Sequence, residues 1–339
     1  MPNTKITRCN KPTIHTIASE AGVSTATVSR ALRDDPAVRV ETRDTIRKLA
    51  RQRGYRPSSI ATRLACNQTG MIAVLLPAVN NPLFAAMAES VIMAAKSIEH
   101  ETLIVYGGTT VQSERKAIQT LAETHADGYV VLPMFLAENM SYVLELLDAK
   151  SAHPVVIRVL DSDLSFSCPI DVVAVDFMEG ALAATRHITH HGHRDICLLG
   201  AVSQNREDPR YVGFRSGLAE VGIKVTSKHI VSCGLSVEQA YRAAQNLFSR
   251  WRPTAILAYS DYLSLGIQRA IAERKWRIPE DISLMAFDGI ELSEYGYVPV
   301  TTMAQPLADI GHAMVHRLYE RLKKPNKPAM RKVFGLVIF

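Results

Sequence analysis

Three groups of residues in this chain of 339 residues have types and spacings that could do chemistry. The first is a run of hydroxyl and guanidinium side chains, Ser24, Thr25, Thr27, Ser29, Arg30 and Arg33, within STATVSRALR. Such groups bond phosphates and base edges, and a threonine methyl can lie on a thymine methyl. The second group is polar or small residues that follow short apolar runs: Pro77–Asn81, Gly107–Thr110, Ser260–Asp261 and Phe287–Gly289. In α/β folds ligands bind at such strand ends. The third is a cluster of histidines, His187, His190, His191 and His193. His187 and His191 share a helix face, which invites a metal reading, but no acid or cysteine stands nearby at ligand spacing, so no metal is expected. A Walker A loop, a GxGxxG after a strand and a GxSxG elbow are all missing from the sequence. The chain is therefore not read as an enzyme, and no cofactor is expected.

The first group needs a helix to present it, and the surrounding pattern supplies three. Thr13 can cap a helix whose apolar positions Ile14, Ile17, Ala18 and Ala21 recur at helical spacing, and Gly22 ends it. Ser24 is a good cap for the next helix, whose inward face reads Ala26, Val28, Ala31 and Leu32. A longer helix follows across VETRDTIRKLARQRG, with Ile46, Leu49 and Ala50 on one face and Gly54 as its stop. Two short helices joined by a glycine turn and closed by a third are the geometry that sets the second helix in the major groove.

Charge agrees with this assignment. Residues 1–66 hold 13 Lys and Arg against 5 Asp and Glu, a net +8, which leaves −2 for the rest of a chain whose total is +6. A basic small module on a near-neutral body suggests a polyanion partner for the module alone. The candidate DNA contacts are Thr13, Ser24, Thr25, Ala26, Thr27, Ser29, Arg30 and Arg33.

The strand-end group needs a sheet. From Met71 onward, MIAVLLP, TLIVYGG, GYVVLP, PVVIRVL, DVVAVD, ICLLGAV, TAILAYS and ISLMAFD are short apolar runs separated by amphipathic stretches. Strands alternating with helices imply parallel sheets covered on both faces. The five cysteines, Cys9, Cys66, Cys168, Cys197 and Cys233, are scattered without a CxxC pair and read as reduced thiols. No run approaches the roughly 18 to 20 apolar residues of a membrane span, and the polar, basic start is unlike a secretory signal, so the expected location is the cytoplasm.

TIHTIASEAGVSTATVSRAL followed by TRDTIRKLARQRGYRPSSIATRLA resembles the DNA-binding headpiece of the LacI/GalR family of transcriptional regulators. The pairing of AGVSxATVSR with GYRP some two dozen residues later is specific in a way that a lone helix-turn-helix pattern is not. The body resembles the family's effector domain through NNPLF, ADGYVVLP, VDFMEGALAATRHI, GHRDICLLG, RYVGFRSGL, SDYLSLG, IPEDISLMAFDG and TTMAQP. The resemblance implies an all-α helix-turn-helix headpiece (1–57), a hinge helix and linker (58–69), and an α/β domain of the type I periplasmic-binding-protein kind (70–339). That domain has two lobes with parallel sheets, the first about 70–171 and 304–331, the second about 172–302 and 332–339, with crossovers near 171, 303 and 332.

The family's function implies a repressor, homodimeric and bound to a pseudo-palindromic operator, whose affinity a small effector controls. In the hinge, Tyr55-Arg56-Pro57 is the turn, Ser58 the cap, and Leu64 the leucine that wedges into the minor groove, where unstacking a base step costs a few kcal/mol. The rival reading of Leu64 is an ordinary core residue. Two departures stand out: Arg39 replaces the serine cap of the third helix, and Arg33 stands where Asn is common. In the cleft, the resemblance carries Arg210, Asp288 and Asp261 as polar contacts, Leu83 and Phe84 as a wall, Leu235 at a position often aromatic, and Gln305 after a crossover. Strand-end turns are the alternative for both aspartates, and a structural salt bridge for Arg210. Arg158, Val159 and Asp161 leave the end of their strand ambiguous in register. The expected effector is a sugar or sugar derivative, and Arg158 together with Arg210 would favour an anionic one such as a sugar acid or sugar phosphate. The functional alternative is a transport-type solute-binding protein with the same fold, which the basic headpiece and the missing secretory signal argue against.

Overall fold

The computed structural model describes residues 12–55, 69–148, 154–159, 170–200, 208–296 and 298–339. They belong to two compact units, residues 1–69 and residues 70–339.

The first unit has helices α1 (Ile14–Ala21), α2 (Thr25–Leu32) and α3 (Val40–Gln52). Thr13 caps α1 by accepting from the Thr16 amide at 3.3 Å, and Ser24 caps α2 by accepting from the Thr27 amide at 3.1 Å. Between them Gly22 has φ 65°, a left-handed turn that costs glycine little. The core is Ile17, Ala18, Val28, Ala31, Val38 and Ile46. Ala26, expected on the inward face, is exposed: it precedes Val28 by two residues, about 200° around a helix of 100° per residue. The loop residue Val38 supplies apolar volume instead. Arg39 starts α3 with no side-chain cap.

In the second unit the first sheet contains β1 (Met71–Leu76), β2 (Glu101–Tyr106), β3 (Gly128–Val131), β4 (Val155–Val159), β5 (Asp171–Val175) and, from far along the chain, β11 (Arg331–Phe334). Its order is β11-β5-β4-β3-β1-β2, all parallel. The second sheet contains β6 (Ile196–Gly200), β7 (Ile230–Ser232), β8 (Ala255–Ala258), β9 (Ser283–Asp288), β10 (Thr301–Ala304) and β12 (Val337–Ile338), in the order β12-β10-β9-β8-β6-β7. Among the described strands of this sheet only β12 runs antiparallel, against β10. Both sheets thus repeat the doubly wound order 2-1-3-4-5, with a switch point between β1 and β3 in one and between β6 and β8 in the other.

The long helices among the described residues are α4 (Pro82–Ser97), α5 (Val111–Glu123), α6 (Leu136–Asp148), α7 (Phe177–His190), α8 (Pro209–Glu220), α9 (Val237–Phe248), α10 (Asp261–Glu273) and α12 (Leu307–Lys323), with a short α11 (Glu291–Tyr295). All eight apolar runs form strands, and most are buried as strands covered on both faces must be; β2, at the edge of its sheet, instead leaves Leu103, Ile104 and Tyr106 exposed. The crossover expected near 171 falls inside β5. That strand pairs with both β4 and β11, so the chain leaves the first sheet only after Val175. It leaves the second after β10 and re-enters it between β11 and β12. No helix among the described residues is long and apolar enough to cross a membrane.

Candidate functional site

Four of the expected cleft residues converge. Arg158 lies on β4 on the same face as Val156, which resolves its register; its Nη2 donates to Gln305 Oε1 at 2.5 Å. Gln305, just after β10, donates through Nε2 to Asp288 Oδ1 at 2.8 Å. Asp288 ends β9. Arg210 begins α8, after β6, and its guanidinium carbon stands 3.6 Å from the centroid of Phe177 and 4.1 Å from that of Tyr259, with Phe287 at 5.2 Å. Each side chain comes from the carboxyl end of a strand or the helix start that follows one. This is where parallel α/β sheets gather ligand groups.

The aromatic box around Arg210 has no local signature in the sequence, although Phe177 stands two residues after β5 and Asp208-Pro209 is a cap-and-proline helix start. Asp208 accepts from the amides of Arg210 and Tyr211 at 3.0 and 3.2 Å, and from the Tyr259 hydroxyl at 2.6 Å. It therefore orients both the arginine and one aromatic wall. Burial pushes the Tyr259 phenol up to about 12, so it is a donor at neutral pH. Close approach of α7 and α8 secures the box: a Cβ on Gly213 would stand 2.1 Å from the Met178 carbonyl oxygen.

The electrostatics are those of a site built for something else to enter. Arg158 and Arg210 are each 4% exposed, and among the described residues the Nε of each is buried without a hydrogen-bond partner. An unpaired buried donor costs about 1–3 kcal/mol. Burial lowers Arg158 to about 10. Burial also raises the Asp288 carboxyl to about 7, against the pull of Arg210 and with a further push from Asp261. Asp288 has φ 115°, a conformation that costs a side-chain-bearing residue about 1–3 kcal/mol.

Asp261 differs from Asp288. Its carboxylate accepts from Thr302 Oγ1 at 2.7 Å, from the Gly289 amide at 2.8 Å and from the Ile290 amide at 2.9 Å. It thus holds the turn that follows Asp288, the role of the strand-end alternative, while desolvation raises it to about 6. Leu235 is 45% exposed. Leu83 is buried in the first turn of α4, and Phe84 packs, half-buried, on the core shared by the two sheets.

In the first unit, Thr25, Thr27 and Ser29 are half-buried on α2, while Ser24, Ala26, Arg30 and Arg33 are exposed. The Thr13 and Ser24 hydroxyls serve as caps. Arg33 leans back on its own helix, its Nε donating to the Ser29 carbonyl at 3.4 Å. Tyr55 packs partly buried on the three-helix core. Ser58 and Leu64 lie outside the described residues. Among the described residues no group of three or more His, Cys, Asp or Glu could hold a metal ion.

Comparison with known proteins agrees with both halves. Residues 13–58 match the model of the bacterial regulatory proteins of the lacI family, and residues 185–338 match a periplasmic binding protein-like domain. The chain is 30% identical to the HTH-type transcriptional regulator DegA of Bacillus subtilis (strain 168), over 95% of each chain. Its fold is similar to that of the lac repressor dimer bound to operator and the anti-inducer ONPF, with TM-score 0.82 and 21% identity, over 97% of this chain and 98% of that one. A complex of the transcriptional regulator CelR with cellobiose is similar with TM-score 0.70 and 22% identity, over 97% and 98%.

Proposed function

The chain belongs to the lacI family of bacterial regulatory proteins and is a DNA-binding transcriptional regulator, and on that premise we propose a homodimeric repressor whose operator affinity is controlled by an anionic, sugar-derived effector in the cleft between its lobes. The observation that carries the effector class is the pair of buried guanidiniums, Arg158 and Arg210, whose Nε atoms have no hydrogen-bond partner among the described residues. A carboxylate or phosphate would satisfy donors that are otherwise desolvated at a cost. Asp288, with Gln305 beside it, would accept from sugar hydroxyls. The box of Phe177 and Tyr259 holds the Arg210 plane by cation–π contact. Cellobiose in the CelR complex supports the sugar part of the reading. The exposed Leu235 offers no aromatic plate to a flat ring.

On the DNA side, Ser24 to Arg33 read the major groove and Leu64 wedges the minor groove at the centre of a pseudo-palindromic operator. Two-fold symmetry of the dimer matches two half-sites. The effector acts through its different affinities for the DNA-competent and incompetent states.

Thermal-shift measurements on the full chain with gluconate, glucose 6-phosphate, glucose and adenosine test the effector class. An anionic sugar derivative should raise the melting temperature with concentration. Arg210→Ala should abolish that shift while sparing operator binding. Stabilisation by glucose or adenosine alone would overturn the anionic reading.

A further inference from the structure

A second cavity, of about 500 Å³, opens in the second lobe at the beginnings of β8, β9 and β10. These are the ends of the strands opposite to those that carry Asp288 and Gln305. Its apolar lining includes Ile188, Leu284 and Pro299, and its polar lining is the imidazoles of His187, His191 and His193 with the hydroxyls of Ser283 and Thr301. Among the described residues no Asp, Glu, Lys or Arg lines it.

The imidazoles are only partly engaged. His191 Nδ1 lies 2.9 Å from the His187 carbonyl oxygen, and His193 Nδ1 lies 3.0 Å from Thr254 Oγ1. Among the described residues no protein group bonds Nε2 of His191 or His193, or either nitrogen of His187. The His187 and His191 rings are 4.5 Å apart. Three imidazoles of this kind, donors through their free nitrogens once protonated, beside an apolar surface with no competing carboxylate suit an anion with a hydrocarbon body. A cation would meet no carboxylate in the lining to offset its desolvation. A carbohydrate would find too few polar partners for its hydroxyls.

We propose that this cavity is a second small-molecule site, taking a compact apolar carboxylic acid whose carboxylate meets His187, His191 and His193 and whose hydrocarbon part lies on the apolar lining. The site is independent of the interlobe effector. The last turn of α7, which carries His187 and His190, is the end of a helix where positive charge is favoured. Burial and the neighbouring histidines hold His187 below the ordinary imidazole range, with His191 and His190 the charged groups acting on it. Burial and His191 do the same to His193. A bound carboxylate supplies the missing counter-charge, so binding takes up protons.

Sodium benzoate titrated into the full chain, followed by NMR of the histidine ring protons, tests the site. His187→Gln, His191→Gln and His193→Gln assign the signals. Because His191 is exposed and the other two are half-buried, the variants should keep the parent's melting temperature. The expected result is saturable movement of these three signals at millimolar benzoate, with affinity several-fold higher at pH 6 than at pH 8. The double variant H187Q/H191Q should bind at least about tenfold more weakly, and Arg210→Ala should bind as the parent does. Unsaturable or uniform movement of all histidine signals would overturn the proposal, and so would unchanged binding by H187Q/H191Q or its loss in R210A.

Discussion

Two buried clusters of arginine and aspartate sit at opposite ends of the neighbouring strands β4 and β5, and they are built differently. At the start of β5, Asp171 accepts from Arg317 Nε at 2.9 Å, Arg321 Nε at 2.7 Å and the Met330 amide at 2.7 Å. Arg317 also reaches Glu320 at 3.1 Å. At the end of β4, the hydrogen-bond partner of Arg158 among the described residues is the neutral Gln305, and Arg210 lies against aromatic faces. The first cluster ties α12 and β11 to the sheet and has its polar atoms matched. The second leaves donors without a partner among the described residues, and burial raises its aspartate. Buried charge that is fully paired serves the fold, whereas buried charge with vacant donors is a place for a ligand.

That contrast can be broken by substitution. The largest effect is expected from Asp171→Ala, which strands two guanidiniums and should cost about 3–5 kcal/mol in urea unfolding of the body. Asp261→Ala frees the amides of Gly289 and Ile290 and should cost about 3 kcal/mol. It should also loosen Asp288, which the same denaturation curve and an effector titration would register together.

A third test uses pH. Asp288 and Asp261 ionise at about 7 and about 6, above the ordinary 3.8. The folded protein therefore binds their protons more tightly than the unfolded chain does. The stability they contribute is complete below pH 3.8 and is lost as pH rises through 6 and 7. Asp288→Asn removes one of the two titrations, so melting temperatures of parent minus variant should fall across that window. A constant difference would return Asp288 to the ordinary carboxylate range. The smallest effect is expected from Arg158→Met, which should shift stability by no more than about 1 kcal/mol in either direction while abolishing stabilisation by an anionic effector. A loss as large as that of Asp171→Ala would make the two clusters equivalent and end the distinction.

Much of the fold was legible because its signals are local. Thr13, Ser24 and Gly22 each act within about four residues, and the apolar runs announce eight strands without reference to their partners. The three-residue β7 carries too little apolar pattern to announce itself. β11 pairs with β5, some 160 positions earlier in the chain, so no window contains the pairing. Ala26 is exposed because two residues turn a helix by about 200°, which sets it opposite the buried Val28.

The candidate site was legible through resemblance at Arg210, Asp288 and Gln305. Its aromatic box was not, because Phe177, Tyr259 and Phe287 stand on three separate strand ends. The two aspartates look alike in SDYLSLG and AFDG, yet one holds a turn and the other faces the arginines.

The sequence by itself determined a basic three-helix module with its caps, an alternating α/β body, and the residue types gathered at strand ends. Only the tertiary structure decided which buried charges are matched. Arg158 meets Gln305 across 147 positions, and Arg317 meets Asp171 across 146. Capping and periodicity are properties of a few consecutive residues. Desolvation and pairing depend on every group the fold brings around a charge, and those groups come from the whole chain.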